Sequence, residues 1–430
     1  MKHSVSEVQL KNGARGLFID VPGATVMDYE FSFRAGEYLV PRNKWEVPHL
    51  MEHVVLGANE KYKKARVFQA EFEKNGAYSN ASTGTISITY EAECADFEWQ
   101  RILELLLLAV AKPLFLREEF VAEYGNVKDE LNSRSNNHFR TLATTVNETQ
   151  GLLSMTDRER LRQMKNVKRQ DLIDHYKKTH TTANMRFIVA GDLKGRQAEV
   201  KRILESVRLP KGRTRYELPL EEPANLEKPV FIVRPSIKNM YFGMNTFAMT
   251  RFSDPEMDAL EMVNTMLTAT LHSRILGEAR ERGLVYSMDS GLDIARSYTG
   301  WWFGAQVMVK NAPALFEIII RELQRVKTGD VTPDDLNAAK QYLLGRHQRS
   351  GQTVGGTVSG YAGRYYFDDT INDYHAIPER INAVTALRIK EVSQRMFSDN
   401  ISALGILSAS KNRHTLADQL YELTRPLWNA

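Results

Sequence analysis

The chain has 430 residues, more than one compact domain usually holds, so two or more domains are expected. Its 57 basic and 53 acidic residues leave a net charge of +4, a small excess spread along the chain that gives no case for nucleic acid or membrane partners. The single cysteine, Cys94, cannot form an intramolecular disulfide. The polar N-terminus lacks the apolar core of a secretory signal, so we expect a cytoplasmic location.

The first half of the chain mixes strand and helix patterns. Apolar and polar residues alternate in the first two predicted strands, and Pro22-Gly23 forms the turn between them. A pair of strands rich in Thr, Ile and Tyr follows later. The predicted strands cover 16–19, 25–33, 77–90 and 185–190, and the predicted helices cover 49–56, 65–74, 95–111, 117–136, 141–153 and 169–178.

The periodicity stops between residues 209 and 229. This segment is rich in proline and charge, which is typical of a linker. The sequence therefore predicts a first domain at 1–208, a linker at 209–229 and a second domain at 230–430.

The second half resembles a diverged copy of the first. The triplet A-Y-S at 77–79 reappears as V-Y-S at 285–287, and an apolar helix follows in each half, at 98–111 and at 312–325. A repeat of this length indicates a duplicated domain rather than a solenoid. We expect an α+β fold of two homologous α/β sandwich domains, each a mostly antiparallel sheet with helices on one face.

The glycine-rich segment at 351–363, GQTVGGTVSGYAG, is not a phosphate-binding loop because it lacks the required lysine. Several aromatic residues lie within or just after it. We interpret them as helix-packing residues rather than as a surface for stacking bases: Tyr361, Tyr365, Tyr366 and Phe367.

The pentapeptide His49-Leu50-Met51-Glu52-His53 is the strongest local signal in the sequence. Positions i and i+4 of a helix lie on one face, so two imidazoles at this spacing can bind one metal ion. Glu52 projects to the same side, where a carboxylate can act as general base toward a water. The order H-x-x-E-H is the inverzincin signature. The alternative is a pair of buried histidines with local partners.

A catalytic zinc site needs a third protein ligand. The segment at 123–130, EYGNVKDE, offers Glu123 and Glu130, seven residues apart. Seven residues are two helical turns, so both carboxylates lie on one face. From the residues alone, they are either metal-site groups or ordinary solvated helix charges.

The spacing of these residues resembles the pitrilysin family, which includes insulin-degrading enzyme and the mitochondrial processing peptidases. Seventy-six residues separate His53 from Glu130. The resemblance, in particular to the short two-domain members and their bacterial relatives, implies that His49, His53 and Glu130 bind zinc. It also implies that Glu123 is a helper carboxylate that orients a ligand or shares the proton load.

Two further stretches carry the resemblance, residues 35–56 around the pentapeptide and residues 76–83, GAYSNAST. In the family the second stretch is a strand at the edge of a sheet, to which an extended peptide adds as a further strand. This implies that Asn80 and Ala81 contact the substrate backbone. For Asn80, the alternative is a turn residue.

In the second half, LHSRI at 271–275 and RGLVYS at 282–287 resemble the family's S-S-R-L and R-G-L-A-Y-S motifs. The resemblance implies that Tyr286 stabilises a tetrahedral intermediate; the alternative is a structural tyrosine that mirrors Tyr78. The family usually places an arginine seven residues earlier. Here that residue is Ala279 and Arg280 follows it, so either the register shifts by one or the pair is incomplete.

The resemblance implies a zinc metalloendopeptidase with one Zn2+ per chain and Glu52 as the base. Its substrates would be peptides or short unfolded polypeptides. Because this chain has two domains where longer family members have four, the resemblance implies a homodimer or a heterodimer with a sister subunit. One alternative is a non-catalytic or partner-dependent subunit. Another is a peptide-binding module with a structural zinc, but structural zinc sites have four protein ligands and only three candidates are found.

Overall fold

The computed structural model describes residues 1–212, 214–409 and 415–428. Arg213, in the predicted linker, and residues 410–414 and 429–430, in the predicted second domain, lie outside the described residues. Among the helices of the described ranges, none is both long and apolar enough to cross a membrane.

The first part of the chain contains the elements that carry the candidate site. Strand β3 forms because its residues alternate between apolar and polar, with Met27, Tyr29, Phe31 and Phe33 on one buried face. The elements in chain order are β1 (Ser4–Gln9), β2 (Arg15–Asp20), β3 (Val26–Phe33), α1 (Val47–Val55), α2 (Ala65–Glu73), β4 (Tyr78–Thr83), β5 (Ile88–Ala95), α3 (Trp99–Ala111), α4 (Arg117–Arg134), α5 (His138–Thr149), α6 (Asp157–Gln163), α7 (Arg169–Thr179), β6 (Met185–Gly191) and α8 (Gln197–Ser206).

The remainder of the chain repeats the succession of strands followed by helices. Its long helix α11 ends where Gly329 adopts a left-handed conformation with φ 86°, which glycine accepts without steric cost. The elements are β7 (Val230–Val233), β8 (Asn239–Ala248), α9 (Asp254–Thr268), α10 (Arg274–Glu281), β9 (Asp289–Ile294), β10 (Thr299–Met308), α11 (Ala312–Thr328), α12 (Pro333–Ser350), α13 (Val354–Asp368), α14 (Ile377–Ala383), α15 (Ala386–Phe397), β11 (Ile401–Ser408) and α16 (Thr415–Thr424).

The chain folds into two compact units that are not contiguous in sequence. The first unit comprises residues 1–132, 158–218 and 348–374, and the second comprises residues 133–157, 219–347 and 375–430. Helix α5 therefore belongs to the second unit although it comes from the first half of the chain, and α13 belongs to the first unit although it comes from the second half. In this respect the units differ from the contiguous domains expected from the sequence.

The first unit is built on a six-stranded sheet of order β1-β2-β6-β3-β5-β4, in which β2 and β6 are parallel and the other neighbours are antiparallel. The apolar face of β3 packs in one core with α1 and α3. Helix α13 contacts β3 and β6. Strand β4 lies at the edge of the sheet, next to β5.

The second unit is built on a five-stranded sheet of order β7-β11-β8-β10-β9, in which β7 and β11 are parallel. Its main core gathers buried residues of β8, β10, α9 and α11. A smaller cluster joins Leu142 and Val146 of α5 to Ala403 and Leu407 of β11. Helix α5 thus covers sheet surface that the main core leaves open.

The predicted α+β fold with two mixed, mostly antiparallel sheets is confirmed. The expectation of helices on one face is incomplete, because each sheet also packs against a helix from the other half of the sequence, α13 or α5. A sheet with two partly apolar faces gains free energy when both are covered. Strand β1 was not predicted because its residues are largely exposed and show little apolar alternation.

Candidate active site

Helix α1 places both histidines of the pentapeptide on one face. Pro48 lies in its first turn, where the missing backbone N–H costs no hydrogen bond. The rings of His49 and His53 lie one turn apart, with centroids separated by 5.0 Å. Leu50, Met51, Val54 and Val55 on the same helix are buried in the core of the first unit, which fixes the direction in which the imidazoles point.

Helix α4 brings Glu130 to these histidines. Val127 and Leu131 are buried and anchor the helix to the core. The Oε2 atom of Glu130 lies 3.3 Å from Nε2 of His49 and 3.8 Å from Nε2 of His53. The ligand atoms of these three side chains all lie within 4.8 Å of one another.

These three side chains fit a zinc ion by chemistry and by spacing. Two imidazole nitrogens and one carboxylate oxygen are a donor set found in catalytic zinc sites, where a fourth position stays open. Ligand atoms about 2.0–2.1 Å from zinc at a tetrahedral angle lie roughly 3.3 Å from one another. The separations of 3.3 and 3.8 Å between Glu130 and the histidines are close to this value.

Each histidine has a carboxylate on its other ring nitrogen. The Nδ1 atom of His53 donates a hydrogen bond to Glu123 Oε2 at 2.9 Å. The Nδ1 atom of His49 donates to Glu46 Oε2 at 3.1 Å. Such contacts set the tautomer of a ligand histidine and leave Nε2 facing the metal. The family resemblance implied this role for Glu123, whereas Glu46 was not identified.

The surroundings of the two carboxylates differ. Glu46 is fully buried and paired with the guanidinium of Arg160 on α6, whereas Glu123 is partly exposed and accepts a hydrogen bond from Asn126 Nδ2 at 3.1 Å. The hydrogen bond from His53 lowers the pKa of Glu123, against the opposing effect of burial. Burial raises the pKa of Glu46, but His49 and Arg160 outweigh it and hold that pKa below its usual range.

His49 is strongly polarised by its carboxylate neighbours. Burial lowers its pKa, but the hydrogen bonds with Glu130 and Glu46 outweigh burial and raise the pKa to about 9. The carboxylates around this ring thus favour a positive charge between them. A cation between His49 and Glu130 would meet the same favourable potential.

The carboxylate of Glu52 is held by strand β4. The hydroxyl of Thr83, the last residue of β4, donates a hydrogen bond to Glu52 Oε2 at 2.8 Å. The turn after β4 lies close to Gly36, where a Cβ would be only 2.2 Å from the carbonyl oxygen of Gly84, so a larger residue would not fit there. The general base predicted from the sequence is therefore tied to the edge strand, a link that the motif alone did not reveal.

The structure places the predicted substrate residues on β4, at the edge of the first sheet. Asn80 is exposed, and its Nδ2 lies 3.4 Å from Glu91 Oε1 on β5. Ala81 points the other way and packs against the core. Within the described residues, β4 pairs with β5 alone, so its outer edge has backbone groups that another strand could engage.

Tyr286 lies in the second unit and is 79% exposed. The guanidinium of Arg280 sits 4.5 Å from the centre of its ring and donates a hydrogen bond to its backbone oxygen at 2.7 Å. Ala279 is buried with Ile275, one turn earlier on α10. Helical periodicity thus directs position 279 into the core and position 280 outward, so the arginine beside Tyr286 is Arg280.

Three residues at or near the site were not identified from the sequence: Glu46, Thr83 and Arg160. Glu46 precedes His49 by three positions on the same turn, a spacing at which a carboxylate and an imidazole can meet, so a signal existed. Arg160 lies 114 positions from Glu46, and nothing local links the two. Thr83 is 31 positions from Glu52 and needs the packing of β4 on α1.

Two family models match the chain. One, described as insulinase (peptidase family M16), matches residues 35–157, and the other, described as peptidase M16 inactive domain, matches residues 166–343. The first range includes the H-x-x-E-H pentapeptide and Glu130, and the second includes Tyr286. A comparison with curated proteins gives no match.

Solved structures share the fold over nearly the whole chain. A protease from Helicobacter pylori is 16% identical, with a TM-score of 0.84 over 94% of this chain and 100% of that one. A peptidase M16 inactive domain from Pseudomonas fluorescens is 16% identical, with a TM-score of 0.82 over 95% and 98%. At this identity the likeness establishes the fold alone.

Proposed function

The chain belongs to the peptidase M16 family, and we propose that it is a zinc-dependent endopeptidase that hydrolyses peptides or short unfolded polypeptides. The observation that carries this proposal is the convergence of His49, His53 and Glu130 within 4.8 Å. These three side chains would hold one zinc ion per chain. When bound, zinc would supply a Lewis acid that polarises the scissile carbonyl and lowers the pKa of a water in the open position.

Glu52 is the proposed general base. It takes a proton from the attacking water and later delivers that proton to the leaving amine. The hydrogen bond from Thr83 to Oε2 restrains the carboxylate, so that its other oxygen can accept the proton. Because Thr83 ends β4, a peptide aligned on that strand would present its backbone near the base.

Strand β4 is the proposed substrate-binding element. An extended peptide can add to its outer edge through main-chain hydrogen bonds, which give affinity without requiring one sequence. Asn80 and Ala81 lie in the middle of β4, where they would flank the added strand. This mode favours unfolded substrates, since a folded protein seldom offers a free extended segment.

Tyr286 is proposed to donate its hydroxyl to the oxyanion of the tetrahedral intermediate. Its exposure and its contact with Arg280 support an external role, because a tyrosine that served only the packing of its own unit would be buried. We further propose that the chain acts as a homodimer or as a heterodimer with a sister subunit. In such a dimer, Tyr286 would donate its hydroxyl to the oxyanion formed at a zinc centre of the assembly.

Cleavage of a mixed pool of fluorescence-quenched peptides tests the function. Glu52→Gln should keep zinc and lose about 10²–10⁴-fold in rate, the range contributed by general acid–base groups. Glu73→Gln removes an exposed carboxylate on α2 and serves as the matched control. A Glu52→Gln variant that cleaves as fast as the wild type would refute the assignment of the base.

The same samples distinguish a second candidate function, a non-catalytic or partner-dependent subunit. This candidate is motivated by the match of residues 166–343 to a family model described as an inactive domain. A zinc-loaded wild type that cleaves no peptide, at a mass in solution of one chain, would support the partner-dependent subunit. Cleavage by a sample with the mass of two identical chains would support the homodimeric enzyme.

A further inference from the structure

Glu46 and Arg160 form a buried ion pair that the proposed reaction steps do not use. Glu46 is 0% exposed, and Arg160 is also buried. A charge removed from water costs free energy unless partners compensate it. Glu46 stands at the N-cap of α1, but its side chain makes no capping hydrogen bond there. Both of its oxygens are instead engaged by Arg160 and His49.

We propose that Glu46 and Arg160 are positioning residues for metal binding. Glu46 holds the ring of His49 in the orientation and tautomer that present Nε2 to the metal, and Arg160 holds Glu46. This inference rests on the proposed function, because it requires that His49 is a metal ligand. It assigns a role to two residues outside the H-x-x-E-H pentapeptide.

The direction of the hydrogen bond defines the tautomer. An ionised carboxylate only accepts, so Nδ1 of His49 must carry the proton that it shares with Glu46 at 3.1 Å. A neutral imidazole protonated at Nδ1 has its lone pair on Nε2. Nε2 is the atom that lies 3.3 Å from Oε2 of Glu130. The contact with Glu46 therefore prepares His49 for the metal.

Arg160 fixes the plane of the Glu46 carboxylate by a two-point contact. Its Nε donates to Oε1, and its Nη2 donates to Oε2 at 3.2 Å. A paired guanidinium and carboxylate form a rigid fork, which a single point charge would not provide. Oε2 is thus shared between Arg160 and His49, so the position of the imidazole follows that of the guanidinium.

The second histidine has a weaker version of this arrangement. The carboxylate on His53, Glu123, is supported by the neutral amide of Asn126 and is partly exposed to solvent. Water can replace lost contacts at Glu123 but not at Glu46. Removal of the charge at Glu46 should therefore disturb its histidine more than the same change would at a solvent-exposed carboxylate.

The test measures zinc affinity of the full chain by competition with a chromogenic chelator. Glu46→Gln keeps the size of the side chain but replaces the charged acceptor by an amide. We expect a 10- to 100-fold weaker zinc affinity, about the loss seen when outer-shell partners of metal ligands are changed. The visible absorption spectrum of the Co2+-loaded variant should also differ from that of the wild type, because the ligand geometry changes.

Glu37→Gln is the matched control. Glu37 is another buried carboxylate beside Arg160, with its Oε1 3.6 Å from Nη2, but no hydrogen bond within the described residues joins it to His49. Its zinc affinity should stay close to that of the wild type. Where Glu46→Gln does not fold, Glu46→Asp replaces it, because that change keeps the charge and withdraws the oxygens from His49 by one methylene.

Weakened zinc binding in Glu46→Gln or Glu46→Asp, together with wild-type affinity in Glu37→Gln, supports the inference. Unchanged affinity and an unchanged Co2+ spectrum in the Glu46 variant overturn it, as does an equal loss of affinity in Glu37→Gln. These results leave the proposed function intact. A wild-type chain that binds no zinc instead overturns the proposed function, and the inference with it.

Discussion

Thr83 links two parts of the proposed site, the strand that would bind substrate and the carboxylate that would act as base. Its hydroxyl reaches Glu52 at 2.8 Å from the last position of β4. A hydrogen bond to a charged group contributes about 1.5–3 kcal/mol. The placement of the base therefore depends on a residue that belongs to the substrate strand.

Replacement of Thr83 by valine should lower kcat while zinc content stays unchanged. Valine keeps the β-branched shape that suits a strand but cannot restrain Glu52. We expect a loss of about tenfold, the kinetic equivalent of about 1.4 kcal/mol. Thr83→Ser restores a hydroxyl and should recover most of the rate. Ser82→Ala, on the neighbouring exposed position, is the control. Equal rates for valine, serine and wild type would contradict the role.

At the scale of residues, the sequence predicts candidate metal ligands better than it predicts the residues that hold other site residues in place. The pentapeptide is local, so it marks His49 and His53 as candidate ligands directly. Glu130 becomes a candidate only through the family resemblance, because the residues alone leave it open between a ligand and a solvated helix charge. Arg160 cannot be predicted from the sequence, because its contact with Glu46 depends on how α6 packs. The identity of the arginine beside Tyr286 depends on the phase of α10, which the sequence leaves open between positions 279 and 280.

At the scale of elements, β3 has two unlike faces. Its polar face carries Asp28 and Glu30, which lie opposite Glu93 and Glu91 of β5. Burial, with smaller contributions from Glu30, Glu93 and Glu91, raises the pKa of Asp28 to about 8. Burial likewise raises the pKa of Glu30 to about 7. Helix α13 packs over this region, with Gly355 close enough that a Cβ there would lie 3.3 Å from Asp28 Oδ2.

The raised pKa of Asp28 predicts that the stability of the folded chain decreases as pH rises. The folded chain holds this proton more tightly than the unfolded chain, whose pKa is about 3.9. The stabilising contribution is therefore fully present below about pH 4 and is lost as pH rises through about 8. Asp28→Asn should flatten this dependence. As pH rises from 5 to 8, the free energy of unfolding of the variant should increase relative to that of the wild type by on the order of 3 kcal/mol.

Denaturant unfolding of the metal-free chain at pH 5 and pH 8 measures this effect. Asp174→Asn, on the exposed side of α7, makes the same chemical change without burial and should follow the wild type at both values. A difference between Asp28→Asn and wild type that is the same at both pH values would show that Asp28 does not titrate in this range.

The alternation that defines β3 was readable in the sequence, whereas no helix was predicted for the glycine-rich segment in which α13 begins. Tyr361 and Tyr365 of that helix are buried, in agreement with their interpretation as packing residues. Which sheet the helix covers was not readable, because an amphipathic pattern shows that a face is buried but not against what. The register of α13 on β3 and β6 is set by contacts remote in sequence.

At the scale of the whole molecule, the main feature is an exchange of helices: each unit contains a helix from the other half of the sequence, α13 in the first unit and α5 in the second. Asp369, at the end of α13, pairs through both oxygens with Arg186 on β6, at 2.6 and 3.0 Å. The side chain of Arg186 is only 5% exposed. A buried charge that loses its partner costs about 3–5 kcal/mol. The unit that carries the candidate metal centre therefore depends on residues 348–374 for its stability.

We expect a fragment of residues 1–212 to lack a cooperative unfolding transition, since it lacks α13 and leaves Arg186 unpaired. Co-expression with residues 213–430 should restore a soluble complex that unfolds cooperatively. Circular dichroism during thermal unfolding measures both. A fragment that unfolds cooperatively at the temperature of the full chain would contradict the dependence.

The exchange has a consequence for inheritance. A mutation that enlarges Gly360, where a Cβ would lie 2.5 Å from the ring of Tyr374, falls in the second half of the gene but alters the first unit. A genetic map would assign such a defect to the half without the candidate metal ligands, although the unit that it disturbs is the one that carries them. Loss of either half of the gene would remove residues from both folded units.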